Sequence, residues 1–337
     1  MRIFSLLLFV SFLTFFSCSN EFELNAPYQD VAVVYGFIDK DDPVHYIRVE
    51  KAFIDQETSA VELAKNPDSL YYENVLVEVV RLDKGNETIV LERVNGDDVG
   101  LPREEGDFAQ SPNILYGFSL ADDEKLEGEE RLQLRVSRGD EKEVVTAETT
   151  IIGDIEFQQG RPPETDLSFQ YTRNTSFAWF ARQGGQLFDL VLDVNIQELD
   201  PEDNSQFIDR TFEWVIRRNI RRESDGGPQV KVDIPGELFY QFLQSQLENE
   251  PRRQRFFKSI DVNVSAAGQE LVDFLDITQA NTGITSAQEV PTFTNLEGGA
   301  VGLFTSRKTA IVQVTSLARE TRDSLRSGIY TKNLNFQ

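Results

Sequence analysis

The chain is 337 residues long, with 57 Asp+Glu against 33 Lys+Arg, a formal net charge of −24, and a single Cys, Met and His. One Cys excludes an internal disulfide and any zinc site built on Cys or paired His. The acidic excess disfavours nucleic acid and anionic lipid as partners, while 40% hydrophobic content with 25 Phe excludes a disordered polyanion. At roughly 150 residues per domain, the length suggests about two domains.

The N-terminus comes first. Arg2 precedes an apolar run from Ile3 to Phe16, interrupted only by Ser5, Ser11 and Thr14. A short positive region followed by a short apolar one is a secretory signal, and the run falls short of the ~20 residues that a spanning helix needs. Phe15-Phe16-Ser17-Cys18 resembles a bacterial lipobox, with Phe15 where Leu is usual. Residues 1–17 are therefore read as a lipoprotein signal peptide and 18–28 as a lipidated tether. Cys18 is the lipidation site and outer-membrane lipid its partner. Several acyl chains on one Cys make a stable anchor. Glu21 and Glu23 resemble the export signal of surface lipoproteins in Bacteroidota, which implies exposure at the cell surface, with the periplasmic face as the alternative.

Residues 29–152 read as successive short strands. Val31, Val33, Tyr35 and Phe37 alternate, as do Val75, Val77 and Val79, and again Leu132, Leu134 and Val136. Period-2 alternation marks strands with one buried face. Further strands are predicted at 44–52, 87–94, 114–120 and 143–151, with a short helix over Thr58 to Lys65. Lys40-Asp41-Asp42-Pro43, Asp83-Lys84-Gly85-Asn86, Asn95-Gly96-Asp97 and Arg138-Gly139-Asp140 supply the turns. About seven short strands predict an antiparallel β-sandwich of immunoglobulin-like kind.

A boundary is placed near Gly153. Residues 18–152 hold 31 acids and 13 bases, residues 153–337 hold 26 and 19, so most of the negative charge lies in the first part. The second part, 153–337, reads as an α+β domain within a mainly β protein. Phe177 to Phe180 and Leu187 to Ile196 are predicted to form a hairpin through Gln183-Gly184-Gly185-Gln186. A further strand is predicted over Ile208 to Ile220. Leu238, Phe239, Phe242, Leu243 and Leu247 have helical spacing over 237–247, with an acid in the first turn. Helices are also predicted at 269–279 and 317–326.

Two segments carry a family resemblance. Val31-Ala32-Val33-Val34-Tyr35-Gly36-Phe37-Ile38 follows Asn25-Ala26-Pro27, and Thr294-Asn295-Leu296-Glu297-Gly298-Gly299-Ala300-Val301-Gly302-Leu303-Phe304 follows Glu289-Val290-Pro291. Together with the lipobox they resemble a Bacteroidota lipoprotein family, the domain of unknown function numbered four-two-four-nine. The late segment departs from the family's pattern by Ala300-Val301 between Gly299 and Gly302. The resemblance spans nearly the whole processed chain. It implies an envelope role beside a TonB-dependent receptor and supplies no reaction.

Candidate sites are few. Arg217, Arg218, Arg221 and Arg222 form a basic run in an acidic chain; continued as a strand, it puts Arg218 and Arg222 on one face and Arg217 and Arg221 on the other. Guanidinium forks suit carboxylates or phosphates, so the run is a weak partner-binding candidate, set against a solvated strand end paired with nearby acids. Arg252-Arg253-Gln254-Arg255 is a similar case. The Gly298-Gly299 pair lacks the Lys-Ser/Thr of a phosphate loop and reads as a turn where backbone meets backbone. Acid clusters at 39–42, 97–98, 122–130 and 200–203 lack EF-hand spacing. His45 lies in a strand with no nucleophile elbow in the chain and reads as structural. Phe169, Tyr171, Phe177, Trp179, Phe180 and Trp214 read as core before ligand surface. No catalytic residue, metal or cofactor is assigned. The expected function is a non-enzymatic binding or accessory subunit of a β-barrel receptor or other envelope complex. The alternatives are a structural or adhesive surface module and, last, a carboxylate-dependent hydrolase.

Overall fold

The computed structural model describes residues 31–52, 60–139, 142–181, 184–200, 205–222, 227–250, 252–280 and 293–337. The expected signal peptide (1–17), the expected lipidation site Cys18 and the expected tether (18–28) lie outside the described residues. Among the described residues, no helix is long and apolar enough to cross a membrane.

The protein is mainly β. In the first part β1 (Val31–Ile38), β2 (His45–Ala52), β3 (Leu76–Arg81), β4 (Glu87–Val90), β5 (Glu92–Asn95), β6 (Ile114–Phe118), β7 (Arg131–Ser137) and β8 (Val145–Thr150) are accompanied by two short helices, α1 (Ala60–Ala64) and α2 (Pro67–Leu70). The second part adds β9 (Ile155–Phe157), β10 (Asn174–Ala181), β11 (Leu187–Leu199), β12 (Phe207–Arg221), β13 (Gln229–Pro235), β14 (Arg255–Ala267) and β15 (Val301–Val314). Its helices are α3 (Glu237–Gln246), α4 (Gln269–Ala280) and α5 (Arg319–Ser327).

One eight-stranded sheet runs through the molecule in the order β12-β11-β14-β15-β1-β2-β6-β5. A four-stranded sheet, β4-β3-β7-β8, contributes to the core at one end, and a three-stranded sheet, β13-β10-β9, to the core at the other. The two cores divide near the expected boundary. Apart from Leu296, Ala300 and Phe304, the fully buried members of the first lie between Ala32 and Ile151; those of the second begin at Ile152.

β15 joins the two halves. Its first residues pair in parallel with β1, from Val33 opposite Val301 to Ile38 opposite Ser306. The remainder pairs antiparallel with β14, from Arg307 opposite Ala267 to Val314 opposite Ile260. At the changeover, Ser306 Oγ donates to the Ile38 carbonyl at 3.0 Å and accepts from the Ile152 amide at 2.9 Å. Thr305 Oγ1 donates to Glu270 of α4 at 2.9 Å. Lys308, itself buried, pairs with Asp39 at 3.5 Å and with Asp41. Buried polar groups this close to a strand switch must find partners, and all three do.

Three expectations are corrected. Val33, Tyr35 and Phe37 are not on the buried face of β1; Ala32, Val34, Gly36 and Ile38 are, while Tyr35 is 41% and Phe37 39% exposed. The strand is apolar on both faces, so alternation of its larger side chains points the wrong way. Gly36 belongs inside because a Cβ there would come within 2.9 Å of the Phe304 ring. The strand predicted at 87–94 splits at Leu91: β4 pairs with β3 and β5 with β6, so the chain changes sheets. Finally, β10 and β11 do not form a hairpin. β10 pairs with β13 and β9, β11 with β12 and β14. They face each other across the core, with Trp179 against Phe188 at 5.8 Å between ring centroids. β11 buries one face, from Phe188 to Ile196, and β10 meets it with Phe177 and Trp179, so the two strands pack as opposed layers instead of as a pair within one sheet.

The helices lie close to their predicted spans. α3 buries Phe239, Tyr240 and Leu243, and Phe242 stacks on Trp214 of β12 at 5.1 Å.

Candidate functional site

The arginine run lies at the end of β12, an edge strand of the eight-stranded sheet. Regular alternation does not hold there. The register against β11 slips on both sides of the Leu190–Arg217 pair. Asn219 takes φ 55°, and its amide donates to Asp189 Oδ1 at 2.8 Å. β-Bulges of this kind re-aim side chains at sheet edges. Arg221 is paired with Asp276 of α4, Nη1 to Oδ2 at 2.9 Å; its bonds to that carboxylate hold the guanidinium above its usual range. Arg222 donates from its side chain to the Gly227 carbonyl at 3.4 Å. Arg217 and Arg218 are exposed and have no hydrogen-bonded or ion-paired partner among the described residues. Arg217, Asn219 and Arg221 line a cleft of about 470 Å³ together with Gln229 and Lys231 of β13. Two of the four arginines, Arg217 and Arg221, thus line the cleft; Arg221 is neutralised by Asp276, Arg222 is bonded to a neutral carbonyl, and Arg217 and Arg218 have no side-chain partner among the described residues.

In the second basic run, Arg253 and Arg255 are structural, while Arg252 is exposed. Arg255 is 1% exposed and donates through Nε to Glu198 at 2.8 Å. Arg210 and Arg253 reach the other oxygen of the same carboxylate at 3.2 and 3.1 Å. Burial pushes the Glu198 carboxyl up, but its bonds to Arg255 and Arg253 and the nearby Arg210 charge outweigh that and hold it below the usual carboxylate range. A comparable buried pair joins Arg81 of β3 to Glu130 at 2.6 Å.

The glycine segment closes the first sandwich. Glu297 donates its amide to the Thr146 carbonyl of β8 at 2.8 Å. The Asn295 side chain accepts from the Phe304 amide at 3.0 Å and donates to the Phe304 carbonyl at 2.7 Å, so it acts as a short strand neighbour of β15. A Cβ on Gly298 would meet the Val144 carbonyl oxygen at 2.5 Å, and one on Gly302 would meet that of Val34 at 1.9 Å. The two segments that carry the family resemblance therefore lie against each other as β1 and the start of β15.

His45 is 4% exposed and packs on Phe118 at 4.7 Å. Burial lowers its pKa below the usual value, partly opposed by Asp42 and Asp39. Among the described residues, no three His, Cys, Asp or Glu side chains converge as a metal site would require. Asp39 and Asp41 of the first acid cluster are engaged by Lys308, and Asp97 accepts from Ser111 at 2.7 Å. Phe169, Phe177 and Trp179 are fully buried in the second core, with Tyr171 and Trp214 packed against it.

A further cavity, of about 790 Å³, opens on the outer face of β1 and β2. Sequence reasoning missed it. Its signal was the apolar character of both faces of β1, which leaves Val33 and Tyr35 facing away from the core. Arg103 and Phe108, from the segment between β5 and β6, also line it.

No family model matches the chain, and no curated protein matches it. Among solved structures, the C-terminal globular domain of an oligosaccharyltransferase from Pyrococcus abyssi is similar at a TM-score of 0.23 and 11% identity, over 65% of this chain and 42% of that one. CBD12 from CALX1.2 is similar at a TM-score of 0.16 and 8% identity, over 83% of this chain and 99% of that one. This chain thus spans less than half of the first protein's length, and at such TM-scores neither likeness bears on function.

Proposed function

We propose that the chain is an outer-membrane lipoprotein, anchored through an acylated Cys18 and facing the cell surface. It serves there as a non-enzymatic binding or accessory subunit of a TonB-dependent receptor or another envelope complex. The anchor is supported by the apolar run Ile3 to Phe16 and the placement of the single Cys directly after it. The docking role is carried by one observation: Arg217 and Arg218 stand exposed on an edge strand, unpaired among the described residues, in a chain whose net charge is −24. In so acidic a molecule, free guanidiniums are readily paired, and an edge strand offers unpaired main-chain groups beside them.

The test is affinity purification of the full-length protein from native membranes in mild detergent, followed by mass spectrometry. A β-barrel or other envelope protein co-purifies with the wild type and is largely lost with the exposed double change Arg217→Glu, Arg218→Glu. Recovery of no envelope partner with the wild type overturns the accessory role. In the same preparation, Cys18→Ala leaves the protein unacylated and in the periplasmic fraction; unchanged membrane fractionation overturns the anchor.

A further inference from the structure

The cavity on the outer face of β1 and β2 combines an apolar wall with an unbalanced ionic floor. Val33, Tyr35, Ala52, Ala64 and Phe108 give the wall. Tyr35 and Phe108 are 41% and 49% exposed, although aromatic rings of this size are usually buried when a core will take them. At the floor, Arg48 Nη1 donates to Glu50 Oε1 at 3.0 Å. Arg103 Nη2 donates to the same oxygen. Two guanidiniums therefore share one carboxylate. The three side chains are only 27%, 12% and 12% exposed for Arg48, Arg103 and Glu50. Arg103 Nη1 is buried and has no hydrogen-bond partner among the described residues. The guanidinium of Arg103 also lies over the Phe108 ring, 5.1 Å from its centroid.

Among the described residues, the other charges lining the cavity make no ion pair with either guanidinium. Glu104 and Glu105 are exposed at the rim, where water screens them. Lys51 is turned towards the Asp68 carbonyl at 3.5 Å and the Tyr72 ring at 5.2 Å. The floor thus holds a surplus positive charge and unfilled donors in a partly desolvated place. A buried charge without a counter-ion is costly, and an acceptor anion removes that cost. A concave apolar site with a few convergent polar groups is the usual form of a small-molecule site.

We propose that this cavity binds a small amphipathic carboxylate. Its apolar body lies against Tyr35 and Phe108. Its carboxylate sits beside Glu50 and takes donors from Arg48, the more open of the two arginines, and from Arg103. No bond is made or broken. The site is independent of the proposed envelope role, since it uses neither Cys18 nor the cleft at β12.

The test uses the full-length chain with 2-naphthoate, and with 2-naphthamide as the neutral molecule of the same shape, in calorimetric titrations. Naphthoate binds saturably, and the amide at least ten-fold more weakly. Arg103→Met keeps an apolar stem but removes the charge, and it reduces the preference for the acid to less than three-fold. Arg48→Met does the same and decides the matter if Arg103→Met does not fold. Phe108→Ser, at an exposed position, weakens both molecules together. The proposal is overturned if naphthoate shows no saturable binding, if acid and amide bind equally, or if the acid preference survives both arginine changes.

Discussion

His45 shows how a single residue's chemistry follows from its place. It is buried against Phe118, and desolvation favours the neutral imidazole. A folded-state pKa below the ordinary ~6.5 means that the unfolded chain binds the proton more readily. The stability this contributes is complete above about pH 6.5 and is lost as the pH falls from there through the folded-state value. Because the chain has one His, its imidazole resonance can be followed by NMR without assignment. Its midpoint is expected below 6.5, and His45→Phe should remove this part of the acid-side loss of stability; a midpoint at or above 6.5 contradicts the assignment. The reading of His45 as structural needed only its strand pattern and its lack of companions. The arginine runs were harder to tell apart. Arg217 and Arg218 have no side-chain partner among the described residues, while Arg253 and Arg255 are consumed by Glu198, a residue more than fifty positions away in sequence. No local pattern distinguishes the two runs, because the distinction lies in which acid the fold brings near.

At the scale of elements, most strands and the three longer helices were legible, since alternation and helical spacing are local properties of the chain. Pairing was not. The stretch at 87–94 carries one uninterrupted pattern, yet Leu91 donates its amide to Val77 at 2.9 Å and the residues beyond it join another sheet. β15 is the clearest case, because one strand serves two partners of opposite direction. Ser306 sits at that changeover and satisfies both the Ile38 carbonyl and the Ile152 amide. Ser306→Ala leaves two buried main-chain groups without that partner, at a cost of about 1–3 kcal/mol. Urea denaturation should show a lower midpoint with an unchanged slope; an unchanged midpoint means that the Ser306 bonds contribute nothing to stability.

For the whole molecule, the two hydrophobic cores share the eight-stranded sheet, and β15 takes part in both. Unfolding one core exposes an edge of the other, so the halves are coupled. Scanning calorimetry of the full-length protein is expected to give one cooperative transition, whose calorimetric and van't Hoff enthalpies agree. Two separated transitions would show that the halves are thermodynamically independent despite the shared strand.

From the sequence alone came the acidic balance, the mainly β character and the existence of most elements. Each is a matter of composition or of short-range periodicity, which the chain carries whether folded or not. Tertiary structure decided which strands pair, which face of β1 is buried, which arginines stay free, and that Tyr35, Phe108, Arg48 and Arg103 meet around one cavity. Those outcomes depend on contacts between residues far apart in the chain, where pairing, burial and charge neutralisation are settled together by the packed whole.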